Sequence, residues 1–345
     1  MIVTVIFAIV IFSLIIFVHE LGHFLTARMF GVKVHEFAIG MGPAIYSKQK
    51  GDTKYSVRII PMGGFCSMEG EDCESEDEGS FSSKPWYAKF IILAAGATMN
   101  VLLGFVICLI FVASTSAGTG VASVTVDTVL EESQAADFLQ PGDKVVAING
   151  ERVNIKRDID FIMSRNGNKE YEITVKRNGE KLTKILKPYE TQYTDGSPAY
   201  LIGFLAAVEK ANPANILKEA FFQTIWMGKL VFVSLGMLIG GQASVQDVSG
   251  PVGVVSAMNT TAQTGGLIGL LYLASFITVN IGIMNLFPIP ALDGGRIFFV
   301  LIEAIRRKPI PPEKEGVVHF IGLILLVGIM IFATWNDIMR LITGG

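Results

Sequence analysis

The sequence predicts a polytopic α-helical membrane protein with four transmembrane helices and a strand-rich aqueous insert. Three observations carry that prediction. Of the 345 residues, 51% are hydrophobic and 17% are charged, against about 25% charged in an average soluble chain. The charge falls mainly in two blocks, Lys33–Lys89 and Asp127–Lys229, flanked by apolar runs. Ile2–Phe30, Phe90–Ala113, Leu267–Leu286 and Val317–Trp335 are each long and apolar enough to cross a bilayer.

The first run has no basic residues ahead of it and leads into His19-Glu20-Leu21-Gly22-His23 rather than a small-residue cleavage site, so it reads as an uncleaved span. Two histidines four residues apart lie only about 40° apart around a helix axis, so both imidazoles can reach one ion. Glu20 can reach water on that ion. The bland alternative is a pair of helix-end histidines bonded to backbone carbonyls. It is weak here, because ionisable groups beside hydrocarbon are costly unless paired or metal-bound.

A catalytic zinc site takes three protein ligands and a water. Asp293, in Asn285-Leu-Phe-Pro-Ile-Pro-Ala-Leu-Asp-Gly-Gly-Arg296, is the best third ligand. It follows the third run closely, Pro288 and Pro290 break the helix, and Gly294-Gly295 lets the chain turn. Asp293 as the cap of a helix over Gly294–Arg307 is the alternative, and both can hold together.

Parity treats the ambiguous stretch Ile216–Gly241, which is apolar but carries Lys218, Glu219 and Lys229. If it crossed as well, Asp293 would emerge opposite His23, so it is expected to be an interfacial or re-entrant helix. The loop with Arg28, Lys33, Lys48, Lys50, Lys54, Arg58, Lys84 and Lys89, and the loop with Arg306, Arg307 and Lys308, should be cytoplasmic. Both termini and Gly118–Ala262 then lie outside, with Arg340 a mild counter-signal. The expected divisions are 1–117, 118–208, 209–266 and 267–345.

Within the insert, Val121–Val129 and Tyr171–Lys187 alternate as half-buried strands, and Asn178-Gly179 is a hairpin turn. Leu139–Val153 reads as turn, strand and tight turn, followed by a helix over Ile155–Ser164. Its L-x-P-G-D-x-V-x-x-I-N-G run resembles bacterial PDZ domains, although the usual peptide-binding loop is hard to recognise near Gly118–Ala122. Such a domain captures peptide tails by strand addition, and a filter or spacer role stays open.

HELGH on an apolar helix, the LxPGD domain and N-x-x-P-x-x-x-L-D-G-G occur in an order that resembles the site-2 protease family of intramembrane zinc metalloproteases, in the bacterial form with one inserted extracytoplasmic PDZ domain. The resemblance implies Zn2+ held by His19, His23 and Asp293, with Glu20 as catalytic base. It implies that Asn280 and Asn285 accommodate substrate and that Pro288 and Pro290 shape their loop. Gly96-Ala-Thr-Met-Asn100 matches the family's small-residue motif on the second span. Lys54–Gly64 is similar in position to a membrane-associated β-loop on the cytoplasmic side, so Tyr55, Val57, Ile59, Gly63 and Gly64 are expected to offer an edge to unwound substrate. A plain covering hairpin is the alternative. Substrates would be single-span membrane proteins, such as anti-sigma factors or remnant signal peptides, cut in the bilayer of a bacterial cytoplasmic membrane near its inner face.

Two other classes compete. One is a non-enzymatic membrane receptor or scaffold with a structural metal and a peptide-binding PDZ domain, but Glu20 has no use in a purely structural site. The other is a metal transporter, for which no further intramembrane acidic path is visible. The net charge of −3, without a basic face, gives no reason to expect nucleic acid. Cys66, Cys73 and Cys108 lack zinc-site spacing, the acidic run Glu69–Glu78 reads as a solvated face, His35 as a loop residue, and His319 as satisfied within the bundle.

Overall fold

The computed structural model describes residues 2–71, 75–192, 196–241, 249–308 and 310–343. The chain divides into two compact units, Leu109–Trp226 and the remainder, Met1–Cys108 with Met227–Gly345.

The larger unit is built on helices. α1 (Ile2–Met29) leads into strands β1 (Val34–Lys50) and β2 (Thr53–Met68), and α2 (Trp86–Ser116) follows. After the insert come α4 (Pro213–Ile239), of which the part up to Trp226 belongs to the smaller unit, α5 (Pro251–Asn285), α6 (Asp293–Arg306) and α7 (Pro312–Thr343). Five helices, α1, α2, α4, α5 and α7, have the length and apolar content to cross a membrane. The expected four omitted the stretch that forms α4.

α5 is two limbs. Gly266 breaks it at φ 56°, ψ −148°. A Cβ on Gly269 would lie 2.9 Å from Thr261 Cγ2, where a straight helix would separate these residues by about 12 Å. The chain therefore doubles back, and Ala8 packs against Met258 of the first limb and Leu270 of the second.

The second limb organises this unit. Ala8 lies beside Leu270, and Ile11 and Ile15 pack with Ala274, so α1 and the second limb run the same way. The Ser275 hydroxyl donates to the Gly104 carbonyl at 2.8 Å, and Gly282 approaches Ala97, so α2 runs against them. His23, late in α1, and Asp293, just past α5, thus reach the same end. Ser275 also meets the Met227 sulfur, while the Phe232 and Phe287 rings stand 5.5 Å apart, so the later part of α4 descends along the second limb. The first limb starts beside α7, where buried Asp337 accepts from the Gly253 N–H at 2.7 Å.

β1 and β2 pair antiparallel, but both strands fold back, leaving Glu36–Ile39 flanked by 54–57 on one side and 64–67 on the other. His35 lies within β1, not in a loop. Part of the acidic run is paired: Glu69 meets His35, Asp77 meets Lys33 and Glu71 meets Arg296, each at 2.5 Å, while Glu76 and Glu78 are exposed as expected of a solvated face. Cys73 lies outside the described residues, and Cys66 and Cys108 are buried.

The smaller unit carries β3 (Val121–Val129), a 3-10 turn (Gln134–Asp137), β4 (Lys144–Ile148), β5 (Glu151–Arg152), α3 (Lys156–Asn166), β6 (Tyr171–Arg177), β7 (Glu180–Leu186), β8 (Tyr189–Gln192), β9 (Pro198–Leu201) and β10 (Phe204–Glu209). The main sheet runs β10-β3-β4-β6-β7, with β5 on β4. The β6–β7 hairpin turns on Asn178 and Gly179, both at positive φ, as their residue types predicted. Val145, Ile148, Ile173 and Val175 point to one core with Ile159 and Ile162 of α3. Asp143 of the LQPGD run accepts from the Gln140 N–H and takes both Nε and Nη2 of Arg177, at 2.7 Å each. Near Gly118–Ala122, where the usual peptide loop is hard to recognise, Val121 and Ala122 sit in the ladder opposite Glu209 and Val208, and the sheet ends on β10.

Candidate metal centre

The α1 helix presents His19 and His23 one turn apart, with Nε2 atoms 3.2 Å from each other. Asp293 Oδ2 stands 3.1 Å from His19 Nε2 and 3.5 Å from His23 Nε2. These are the edges of a small triangle. A tetrahedral zinc with bonds of about 2.0–2.1 Å requires ligand atoms about 3.3 Å apart. Asp293 Oδ2 is also buried and makes no hydrogen bond, which suits an atom whose lone pair faces a cation. The three residues therefore fit a zinc ion.

Each imidazole is oriented from behind. His23 Nδ1 lies 2.8 Å from the Ile92 carbonyl, which can only accept, so the proton sits on Nδ1 and Nε2 is free to ligate. His19 Nδ1 faces the Asn100 side-chain amide, with Nδ2 at 3.3 Å, while Asn100 Oδ1 is buried without a partner. A half-turn of that amide puts Oδ1 on the His19 N–H and leaves the His19 Nε2 lone pair for the metal.

Asp293 is not the helix cap. Leu292 occupies that position in extended conformation, and Asp293 is the first helical residue. Gly294 lets the start of α6 press on the end of α5, since a Cβ there would lie 2.0 Å from the Phe287 carbonyl oxygen. Ala291, at φ 74°, donates its N–H to His319 Nδ1 at 2.9 Å, so α7 holds the loop that delivers Asp293. Arg296, one turn into α6, binds Glu71 at 2.5 Å beyond the end of β2.

Glu20 faces the β-strand pair. A Cβ on Gly64 would come within 3.4 Å of Glu20 Cγ, and the Cys66 N–H bonds the Glu20 carboxylate. A cleft of about 390 Å³ opens on His19, Glu20, His23 and Asp293, walled by Phe65–Met68 of β2.

The chain belongs to peptidase family M50. The family's sequence signature matches residues 7–329. This M50 chain is similar to the regulator of sigma-W protease RasP of Bacillus subtilis, 32% identical with 98% of this chain and 99% of that protein covered. The zinc metalloprotease RasP of Bacillus licheniformis is also 32% identical, with the same shares covered. A Clostridium perfringens protein is 36% identical over 338 residues, covering 97% of this chain and 98% of that one. The solved PDZ domain of an SdrC-like protein from Listeria monocytogenes aligns at 26% identity with 25% of this chain and 88% of that domain, at a TM-score of 0.21.

The other expected site residues in this M50 chain fall differently. Gly63 and Gly64 lead into the cleft wall, but Tyr55 packs with Phe24 and Phe37, and Val57 and Ile59 are exposed away from the cleft lining. The Asn280 amide donates to the Phe276 carbonyl of its own helix, and Asn285 ends α5. Pro290 packs against Gly322 of α7, and Pro288 is exposed. Asn100, Glu71, Arg296 and the loop-holding role of His319 were missed. Asn100 left one trace, a polar residue four after Gly96 and hence on the same helix face.

Proposed function

We propose that this chain is a zinc-dependent intramembrane endopeptidase that cuts single-span membrane proteins within or near their transmembrane segment. The observation that carries it is the His19–His23–Asp293 triangle with Glu20 beside it, set among helices apolar enough for a bilayer. Zinc bound there supplies Lewis acidity, polarising the scissile carbonyl and acidifying water. Glu20, held by the Cys66 N–H, takes the water proton and delivers it to the leaving amine. A transmembrane helix protects its own peptide bonds, so the substrate must unwind. The Phe65–Met68 wall is the nearest strand for unwound substrate to lie along, which moves the proposed docking edge from Tyr55–Ile59 to the end of β2.

The packing and the loop charges support one sidedness. α4 descends along the second limb of α5 and the first limb returns beside α7, so the two together behave as a re-entrant pair. Three spans then bring His23 and Asp293 to the basic, cytoplasmic side of a bacterial inner membrane, with the PDZ-like unit outside. The name of the Bacillus subtilis relative ties that protein to sigma-W regulation, and single-span regulators of the anti-sigma type are the substrate class proposed here. The unpaired edge of β10 is where a peptide tail would add.

The test is cleavage of a single-span reporter in proteoliposomes by wild type and Glu20→Gln, with zinc measured on the same samples. Glu20→Gln should retain about one zinc per chain and lose cleavage. Cleavage at the normal rate would sink the mechanism, and zinc unchanged in Asp293→Asn would remove Asp293 from the ligand set.

A further inference from the structure

A second cavity, of about 840 Å³, lies wholly within the strand-rich unit, between the sheet and the start of α4. The core takes Val145, Ile173 and Val175, so strand alternation sends Lys144 and Thr174 to the opposite face, where this cavity opens. Lys144 of β4, Arg152 of β5, Lys181 of β7 and Lys218 of α4 all line it, and no carboxylate does. Among the described residues, none of these four cations makes an ion pair or a side-chain hydrogen bond. Within the same unit Lys156 pairs with Asp160, Arg165 with Glu151 and Arg177 with Asp143. Four positive charges around one hollow with no carboxylate in its lining repel one another and raise the local concentration of anions, although Glu219 offsets part of the Lys218 charge.

The helix that closes the cavity indicates which anion. Leu217, Phe221 and Ile225 are 51%, 52% and 50% exposed and fall at i, i+4 and i+8, one apolar stripe on α4. Lys218 and Phe222 are the next residues round that helix and face the cavity. An exposed apolar stripe beside cations with long alkyl stems is the arrangement of a helix seated at a bilayer surface, where phosphate lies level with the charges and acyl chains with the stripe. A soluble anion would use the charges and leave the stripe uncovered.

We propose that this cavity binds the headgroup phosphate of an anionic phospholipid, with Lys144, Arg152, Lys181 and Lys218 as its cationic wall. The hold of this unit on a bilayer then depends on lipid charge. The inference rests on α4 contacting lipid, as in the proposed function, but not on proteolysis.

The experiment uses the full chain in nanodiscs of phosphatidylcholine with a minority of phosphatidylglycerol, and native mass spectrometry counts the phosphatidylglycerol retained. The reporter cleavage assay and zinc content are read on the same preparations, so failure of the lipid site is distinguishable from failure of the protease reading. Wild type should retain one phosphatidylglycerol in preference to phosphatidylcholine. Lys181→Gln, on an exposed strand position, should weaken retention about fivefold, and the quadruple Gln variant should abolish the preference. A charge-matched variant with Lys169, Lys184, Lys187 and Lys210 changed to Gln, none of which lines the cavity, should behave as wild type. Equal retention by the cavity variants, or equal loss in the charge-matched variant, overturns the proposal. Displacement of the lipid by inorganic phosphate or by a soluble acidic peptide also overturns it, since the site would then be a free-anion or a peptide site.

Discussion

Gly96→Ala tests the metal centre through a residue that is neither ligand nor base. A Cβ at position 96 would stand 2.4 Å from His23 Nε2 and 2.8 Å from both His19 Cε1 and His23 Cε1, where ordinary contact begins at 3.4 Å. Relief requires the ligating nitrogen of His23 to move about 1 Å, against a tolerance of about 0.2 Å in metal–ligand distances. Backbone motion is resisted as well, because a Cβ on Gly22, one residue before His23, would lie 2.6 Å from the Ala95 carbonyl oxygen. The expected cost is about 1–3 kcal/mol of overpacking and a fall in zinc affinity of about 10–100-fold or more. The assay is chelator competition on purified protein, with Gly104→Ala alongside. That substitution, two turns along α2, meets Val279 Cγ2 at 2.5 Å and touches no metal ligand. It should lower thermal stability and leave zinc binding intact. Wild-type zinc affinity in Gly96→Ala, or equal zinc loss in Gly104→Ala, would refute the reasoning.

Asn100→Ala should release the His19 ring and weaken zinc about 10–100-fold while the fold persists, as read by the same competition. Arg296→Glu should set two carboxylates together beside the cleft and lower both zinc retention and cleavage, and adding Glu71→Arg should recover part of each; no recovery would show that the Glu71–Arg296 contact is incidental. The Arg177 guanidinium holds the Asp143 carboxyl below its ordinary value. The stability this pair contributes is therefore complete above the unfolded carboxyl's value of about 3.9, and is lost as pH falls through the lowered folded value. Hydrogen exchange of β4 and β6 should show that loss, and Arg177→Ala, which leaves a buried carboxylate unpaired, should cost about 3 kcal/mol at neutral pH. Protection that is independent of pH in the acid range would contradict the assignment.

The local parts of this protein were legible in its residues. A helix fixes the geometry of His19 and His23 within one turn, Asn178-Gly179 fixes a hairpin within two residues, and the proline and glycine residues around Asp293 fix where a helix stops and another starts. Each depends on a short stretch of backbone with its own steric rules. The metal reading required His23 and Asp293 to share an end, and parity turned that requirement into the expectation that Ile216–Gly241 is not a simple span.

What lay beyond reach were the contacts that surround and aim the candidate ligands, whose two halves come from distant elements. Ile92 and Asn100 orient the two imidazoles from α2, Cys66 bonds Glu20 from β2, His319 holds the Ala291 loop from α7, and Glu71 clasps Arg296 across more than 200 residues of chain. The descent of α4 and the fold-back of α5 at Gly266 are of the same kind. Hydropathy reports how apolar a helix is but not which neighbour covers it. The sequence alone determined the residue types of the candidate metal site and the spacing of its two histidines on one helix. Only the tertiary structure decided which side chains aim those ligands, because aim depends on how helices far apart in sequence press together, to within an ångström.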